Sequence, residues 1–212
     1  AAYLSAIPLT ARSADPAATF ATSDRVLWTT SKVAGSPDPP AKYVTEVAFS
    51  NLKFDEPLAF AIVPGLDRIG IAERYGKIFT FPNELATKDR TLLLELKRTV
   101  MGLAFHPEFA SNGKFYVTSI PDPKAPTEKG TRVSEFRVTD RSKMTADAGS
   151  ERILIEWPNG GHNGGCIRFG PDGYLYLATG DGSGIADQRQ TGQDISDLFG
   201  SILRLDVDHR SD

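Results

Sequence analysis

One cysteine, Cys166, in 212 residues rules out an intramolecular disulfide framework and any metal centre built from several thiolates. Long apolar runs are missing as well. No stretch approaches the roughly 18 consecutive apolar residues of a membrane span, so none is expected. Charge of one sign is also scarce: a formal net charge of −3 gives no electrostatic reason to expect nucleic acid or an anionic membrane as a partner. The chain contains no Gly-x-Ser-x-Gly elbow, no P-loop, no His-Glu-x-x-His and no Rossmann fingerprint, which removes several common enzyme classes. Few amphipathic stripes are long enough to predict helices.

The chain does hold a core-forming composition, 40% hydrophobic, after an unusual start. "AAYLSAIPLTARSADPAATF" lacks an initiator methionine. Its apolar run, followed by small residues with Ala11 and Ser13 at cleavage-site spacing, reads as the tail of a secretory signal, with an ordinary flexible leader as the alternative. The first reading implies a periplasmic or secreted protein. "SPDPPAKY" at 36–43 is an extended, helix-breaking approach, so residues 1–42 are expected to be leader and linker and 43–212 the folded domain.

From Tyr43 onward, short alternating apolar runs separated by turn residues predict strands throughout, with a short helix or an irregular insertion over 185–198. Three segments superpose: "LAFAIVPGLDRIGIAE" (58–73), "GLAFHPEFASNGKFYVTS" (102–119) and "CIRFGPDGYLYLATGD" (166–181). Each gives a strand, a Pro-containing turn and a second strand, anchored at Phe60, Phe105 and Phe169, which are 45 and then 64 residues apart. Such repeats predict an all-β fold, a β-propeller whose blades bury their faces against neighbours, with an insertion in the third blade. Propellers close with about 4 to 8 blades, whereas this chain holds about three, with "FGSILRLDVD" (199–208) as material for a fourth. Part of a larger propeller is therefore expected; a β-sandwich is the alternative.

"GGHNGGCIRFG" (160–170) places His162 between two glycine pairs, just before an inner strand. Glycines there permit positive φ and leave room for a ligand at the backbone. A neutral imidazole in that position is a candidate general base, the other reading being a structural loop histidine. Asp181 ends the hairpin partner in "LYLATGDGSG", at the same edge, within reach to fix the imidazole tautomer, or it simply forms the Asp-Gly turn. His106, before Pro107, reads as a blade-turn residue, and His209 receives no role. Asp206 and Asp208 alternate as on one strand face without completing a calcium loop, and Cys166 reads as a small buried residue.

Taken together, "MGLAFHPEFASNGKFYV" (101–117), "GGHNGGCIRFGPDGYLYLATGDG" (160–182) and "GQDISDLFGSILRLDVD" (192–208) resemble the soluble glucose/sorbosone dehydrogenase family of quinoproteins. The resemblance implies the N-terminal half of a six-bladed propeller that oxidises an aldose or sorbosone-like sugar with pyrroloquinoline quinone, PQQ. His162 matches the family's base, which takes the anomeric hydroxyl proton as hydride passes to the quinone, and Asp181 matches a position beside it. Lys97 falls where glucose-oxidising members carry a glutamine near the quinone and is expected to pair with a quinone carboxylate. Gly161 replaces an acidic residue before the base; with Asn163 it is expected beside the cofactor. The resemblance also implies calcium, its ligands and the family's Arg-Asn pair being expected beyond Asp212, and an electron acceptor such as a cytochrome c. No metal ligand is assigned within the chain. A non-catalytic propeller that binds a protein or carbohydrate is the alternative.

Overall fold

A computed structural model of the chain describes residues 45–121 and 129–209; the expected leader, the linker and the domain start near Tyr43 lie outside them. The described residues from Glu46 onward belong to one compact unit. Twelve strands are formed among the described residues: β1 (Pro57–Val63), β2 (Arg68–Glu73), β3 (Lys77–Pro82), β4 (Thr91–Glu95), β5 (Thr99–Phe105), β6 (Lys114–Ile120), β7 (Thr131–Asp140), β8 (Thr145–Ala146), β9 (Arg152–Trp157), β10 (Gly164–Phe169), β11 (Leu175–Thr179) and β12 (Ile202–Leu205). They make three antiparallel sheets: β1-β2-β3-β4, then β5-β6-β7 with both β8 and β9 paired to β7, then β10-β11-β12.

The sequence pattern explains why the sheets stack. In β6, "KFYVTSI", six consecutive residues are buried, as expected of a strand covered on both faces. Val117 and Phe115 pack with Leu93, Leu94 and Val100 in one cluster that joins the first two sheets. Tyr116 turns the other way, into a cluster with Ile167, Leu175, Leu177 and Trp157 that joins the second and third sheets. The first strands of the sheets, β1, β5 and β10, lie beside one another. Three meandering sheets packed face to face around their first strands are three propeller blades. Truncating a fully buried anchor such as Leu103 to alanine is expected to cost about 2–5 kcal/mol.

The predicted hairpins form as β1–β2, β5–β6 and β10–β11, but the repeat is anchored differently in the first blade. Phe105 and Phe169 end β5 and β10, whereas β1 ends at Val63, which is fully buried while Phe60 is 48% exposed. Val63 therefore holds the equivalent place. Phe105 reaches the first blade over Gly70, where an added Cβ would come within 2.4 Å of its ring. The extra residues between Phe105 and Phe169 lie in the second blade, in the ten-residue β7 and the excursion through β8 and a 3-10 turn at Ala148–Ser150, while the third blade carries its own long irregular connection between β11 and β12. Residues 185–198 are irregular turns. The 199–208 segment supplies β12, the third strand of the third blade, and starts no fourth blade.

Two further expectations are corrected. Cys166 is exposed, because period-two alternation in β10 sends Gly165 and Ile167 inward and Cys166 and Arg168 outward. Asp206 and Asp208 follow the end of β12 and share no strand face. Asp206 instead caps a turn, accepting from the amides of Asp208 and His209 at 3.1 and 2.9 Å.

Candidate functional site

Each blade's last strand leads into the first strand of the next, so the β4–β5 connection (96–98) and the β9–β10 connection (158–163) occupy equivalent places at one end of the stack. The long 180–201 connection leaves β11 at that same end, because β11 runs antiparallel to β10. On this upper face the two glycine-rich segments continue the β10–β11 ladder past its last strand pair. The His162 amide donates to Ser183 O at 2.9 Å and the Gly182 amide to His162 O at 2.9 Å.

Close approach of these two segments is what requires the first glycine pair. A Cβ at Gly160 would lie 1.9 Å from Gly182 O, and one at Gly161 2.3 Å from Ser183 O. The second pair serves the backbone: Gly164 and Gly165 adopt φ of 70° and 103° at a bulge between Gly164 and Cys166. The glycines thus draw the histidine loop onto the aspartate loop.

Chain pairing of this kind places the imidazole. His162 Nδ1 lies 3.0 Å from Asp181 Oδ1, with the histidine side chain 61% exposed and the aspartate largely covered. An ionised carboxylate only accepts, so Nδ1 carries the proton and the Nε2 lone pair points elsewhere. Among the described residues no protein group takes that nitrogen. Asp181 is held in turn by Ser183, whose hydroxyl donates to Oδ2 at 2.8 Å and whose amide donates to Oδ1 at 3.2 Å. The Ser183 hydroxyl chiefly, and after it the Ser183 amide and His162, outweigh desolvation and hold the Asp181 carboxyl below the usual carboxylate range. Thr191 Oγ1 donates to Asp181 O at 2.5 Å, tying in the rest of the long connection.

The other sequence-derived candidates fall around this pair. Asn163 folds its side chain back on the loop: Oδ1 accepts from the Gly160 amide at 2.7 Å and from Thr131 Oγ1 at 3.3 Å, and Nδ2 donates to Gly160 O at 2.9 Å. Gly161 is exposed and its amide reaches Gly182 O at 3.3 Å. Lys97 is exposed in the equivalent connection, with no partner among the described residues, whereas its neighbour Arg98 is engaged by Glu151 at 2.6 Å. The structure therefore joins His162 to Asp181, places Asn163 and Gly161 in the same loop, and puts Lys97 on the same face in the neighbouring blade. Sequence reasoning missed Ser183. The "DGSG" string carries a signal in retrospect, a hydroxyl two residues after the aspartate, where an Asx-type turn brings it back onto the carboxylate.

A second histidine–aspartate pair lies on the opposite face. His106 is 4% exposed, and its Nδ1 accepts from the Glu108 amide at 3.0 Å. Asn112 Nδ2 lies 2.8 Å from the same nitrogen. Nε2 therefore bears the proton and meets Asp208 Oδ2 at 3.0 Å. Lys114 binds Asp208 Oδ1 at 3.2 Å, and Phe169 of the third blade contacts the His106 ring edge-on at 5.4 Å. Among the described residues, no group of three or more His, Cys, Asp or Glu side chains is arranged to hold a metal ion, and no helix is long and apolar enough to cross a membrane.

These blades, with an imidazole–carboxylate pair at the mouth of the inner strands, make up part of a β-propeller. The pattern of the family described as Glucose / Sorbosone dehydrogenase matches residues 54–211, and the chain belongs to that family. In structure it is similar to the PQQ-bound form of the aldose sugar dehydrogenase of Streptomyces coelicolor (TM-score 0.60, 24% identity), over 74% of this chain and 46% of that one. In sequence it is 38% identical to the HIPL2 protein of Arabidopsis thaliana over 51% of this chain and 21% of that protein. It is 36% identical to the Hedgehog-interacting protein of Mus musculus over 53% of this chain and 17% of that protein. The chain thus spans about a fifth of the length of these curated relatives.

Proposed function

We propose that this chain carries the base side of a PQQ-dependent sugar dehydrogenase. The observation behind the proposal is the His162 imidazole, its Nδ1 proton held on Asp181 at 3.0 Å and its Nε2 open to solvent on the face shared with Lys97. In this reading Nε2 takes the proton of a sugar C1 hydroxyl as the C1 hydrogen leaves as hydride, and Asp181 stabilises the imidazolium that forms. PQQ, when bound, supplies the two-electron acceptor for that hydride. The donor set suits its carboxylates at one point: the Lys97 ammonium is exposed and has no partner among the described residues. Gly161 contributes an exposed backbone face without a side chain, and Asn163 acts on the ligand through the loop shape it fixes. Periplasmic or secreted placement, calcium elsewhere in the full-length protein and a cytochrome c acceptor complete the proposal.

The test is the full-length protein reconstituted with calcium and PQQ and assayed by dye reduction over a panel of aldoses. Quinone-dependent turnover of at least one aldose is expected. Similarity to a protein named for its interaction with Hedgehog favours a second reading, a propeller that binds a macromolecular partner without redox chemistry. Absence of both PQQ binding and turnover would decide for that reading.

A further inference from the structure

We propose that Ser183 is a positioning residue of the His162–Asp181 pair; the role rests on the base assignment above. Ser183 is 4% exposed and touches both partners. Its hydroxyl donates to Asp181 Oδ2 at 2.8 Å, its amide donates to Oδ1 at 3.2 Å, and its carbonyl accepts the His162 amide at 2.9 Å. A carboxylate with one free oxygen rotates about its terminal torsion, whose wells are broad. With Oδ2 anchored by the hydroxyl, rotation is blocked and Oδ1 stays turned toward Nδ1. Fixing the His162 backbone through the Ser183 carbonyl sets the distance that this orientation needs. Asp181 alone would still attract the imidazole, but it would neither hold the 3.0 Å geometry nor keep a single tautomer.

Two further contacts show that the residue is built into the site. Gly161 has no side chain where a Cβ would lie 2.3 Å from Ser183 O, so a glycine of the histidine loop makes room for this carbonyl. Thr191 Oγ1 donates to Asp181 O at 2.5 Å and so ties down the aspartate backbone, which leaves its side chain as the part that Ser183 must fix.

The experiment uses the full-length protein with Ser183→Ala and Ser183→Gly, which both remove the hydroxyl, and Ser183→Thr, which keeps it. Nitrogen-15 NMR of the His162 ring reads the tautomer independently of any turnover. The parent and Ser183→Thr are expected to hold the proton on Nδ1, and the Ala and Gly variants to show mixed tautomers. Under PQQ-dependent turnover, kcat is expected to fall about tenfold in the Ala and Gly variants with KM within about twofold, the loss of one hydrogen bond to a charged group. A single Nδ1 tautomer in Ala or Gly, together with unchanged kcat, would overturn the role. If the protein turns over no sugar, the base assignment fails while the tautomer measurement still decides the role of Ser183.

Discussion

The two faces of the blade stack each carry a histidine 3.0 Å from an aspartate, and the two pairs are chemically opposite. On the upper face His162 is 61% exposed, with Nδ1 committed and Nε2 open. On the lower face the His106 side chain is 5% exposed, Nδ1 accepts from an amide, and Nε2 faces Asp208. The same two residue types therefore make a candidate base in one place and a latch between blades in the other. What separates them is the number of ring nitrogens that the backbone leaves unused. His106 sits before a proline at a tight blade turn, where the Glu108 amide and the Asn112 side chain meet Nδ1 and Asp208 meets Nε2. His162 lies between glycine pairs that bring a second loop beside it and leave one ring edge uncovered.

The largest effect is expected on the upper face. His162→Gln should lower kcat for PQQ-dependent sugar oxidation by about 2–4 orders of magnitude, read by dye reduction. Asp181→Asn comes next, with a fall of about 100-fold, because an amide presents a donor as readily as an acceptor to Nδ1 and releases the tautomer. Equal kcat in both parent and Asp181→Asn would remove the orienting role. On the lower face His106→Ala should instead lower stability by about 2–4 kcal/mol, measured by denaturant unfolding, through lost packing and hydrogen bonds. Its kcat should stay within about threefold.

The smallest effect concerns acid. Partial burial pushes the Asp208 carboxyl up, but the hydrogen bonds with His106 and from Lys114 outweigh it and hold it below the ordinary range. A depressed folded pKa means that its stabilisation is present above the unfolded value of about 3.9 and disappears as pH falls through the folded value. Thermal scans should show Asp208→Asn flattening the acid limb below about pH 4 relative to the parent. An unchanged acid limb would show that Asp208 is not held in this way.

Much of this was legible in sequence because it depends on local pattern. Short apolar runs such as "KFYVTSI" and the repeated hairpins predict blades, and the shared edge of "GGHNGG" and "TGDGSG" brings His162 toward Asp181. Long-range partners were not legible. His106 and Asp208 are 102 residues apart, and nothing in "AFHPEF" names its partner. Phe60 looked equivalent to Phe105 by residue type, yet strand ends, which depend on pairing, assign that place to Val63. Residue type alone makes Cys166 a core residue, whereas Ile167 and Phe169 fix the phase of β10 and leave it exposed. Ser183 left only a local signal, a hydroxyl two residues after Asp181, while the contact of its carbonyl with the His162 amide depends on how the two loops meet.

One measurement bears most directly on the contrast between the faces: kcat and Tm of His162→Gln, determined on the same full-length preparation. An exposed base with one open nitrogen predicts kcat lower by at least about 100-fold, with Tm within about 2 °C of the parent, since little buried contact is lost. Retained turnover, or a Tm loss as large as that of His106→Ala, would contradict it and make His162 a second structural histidine.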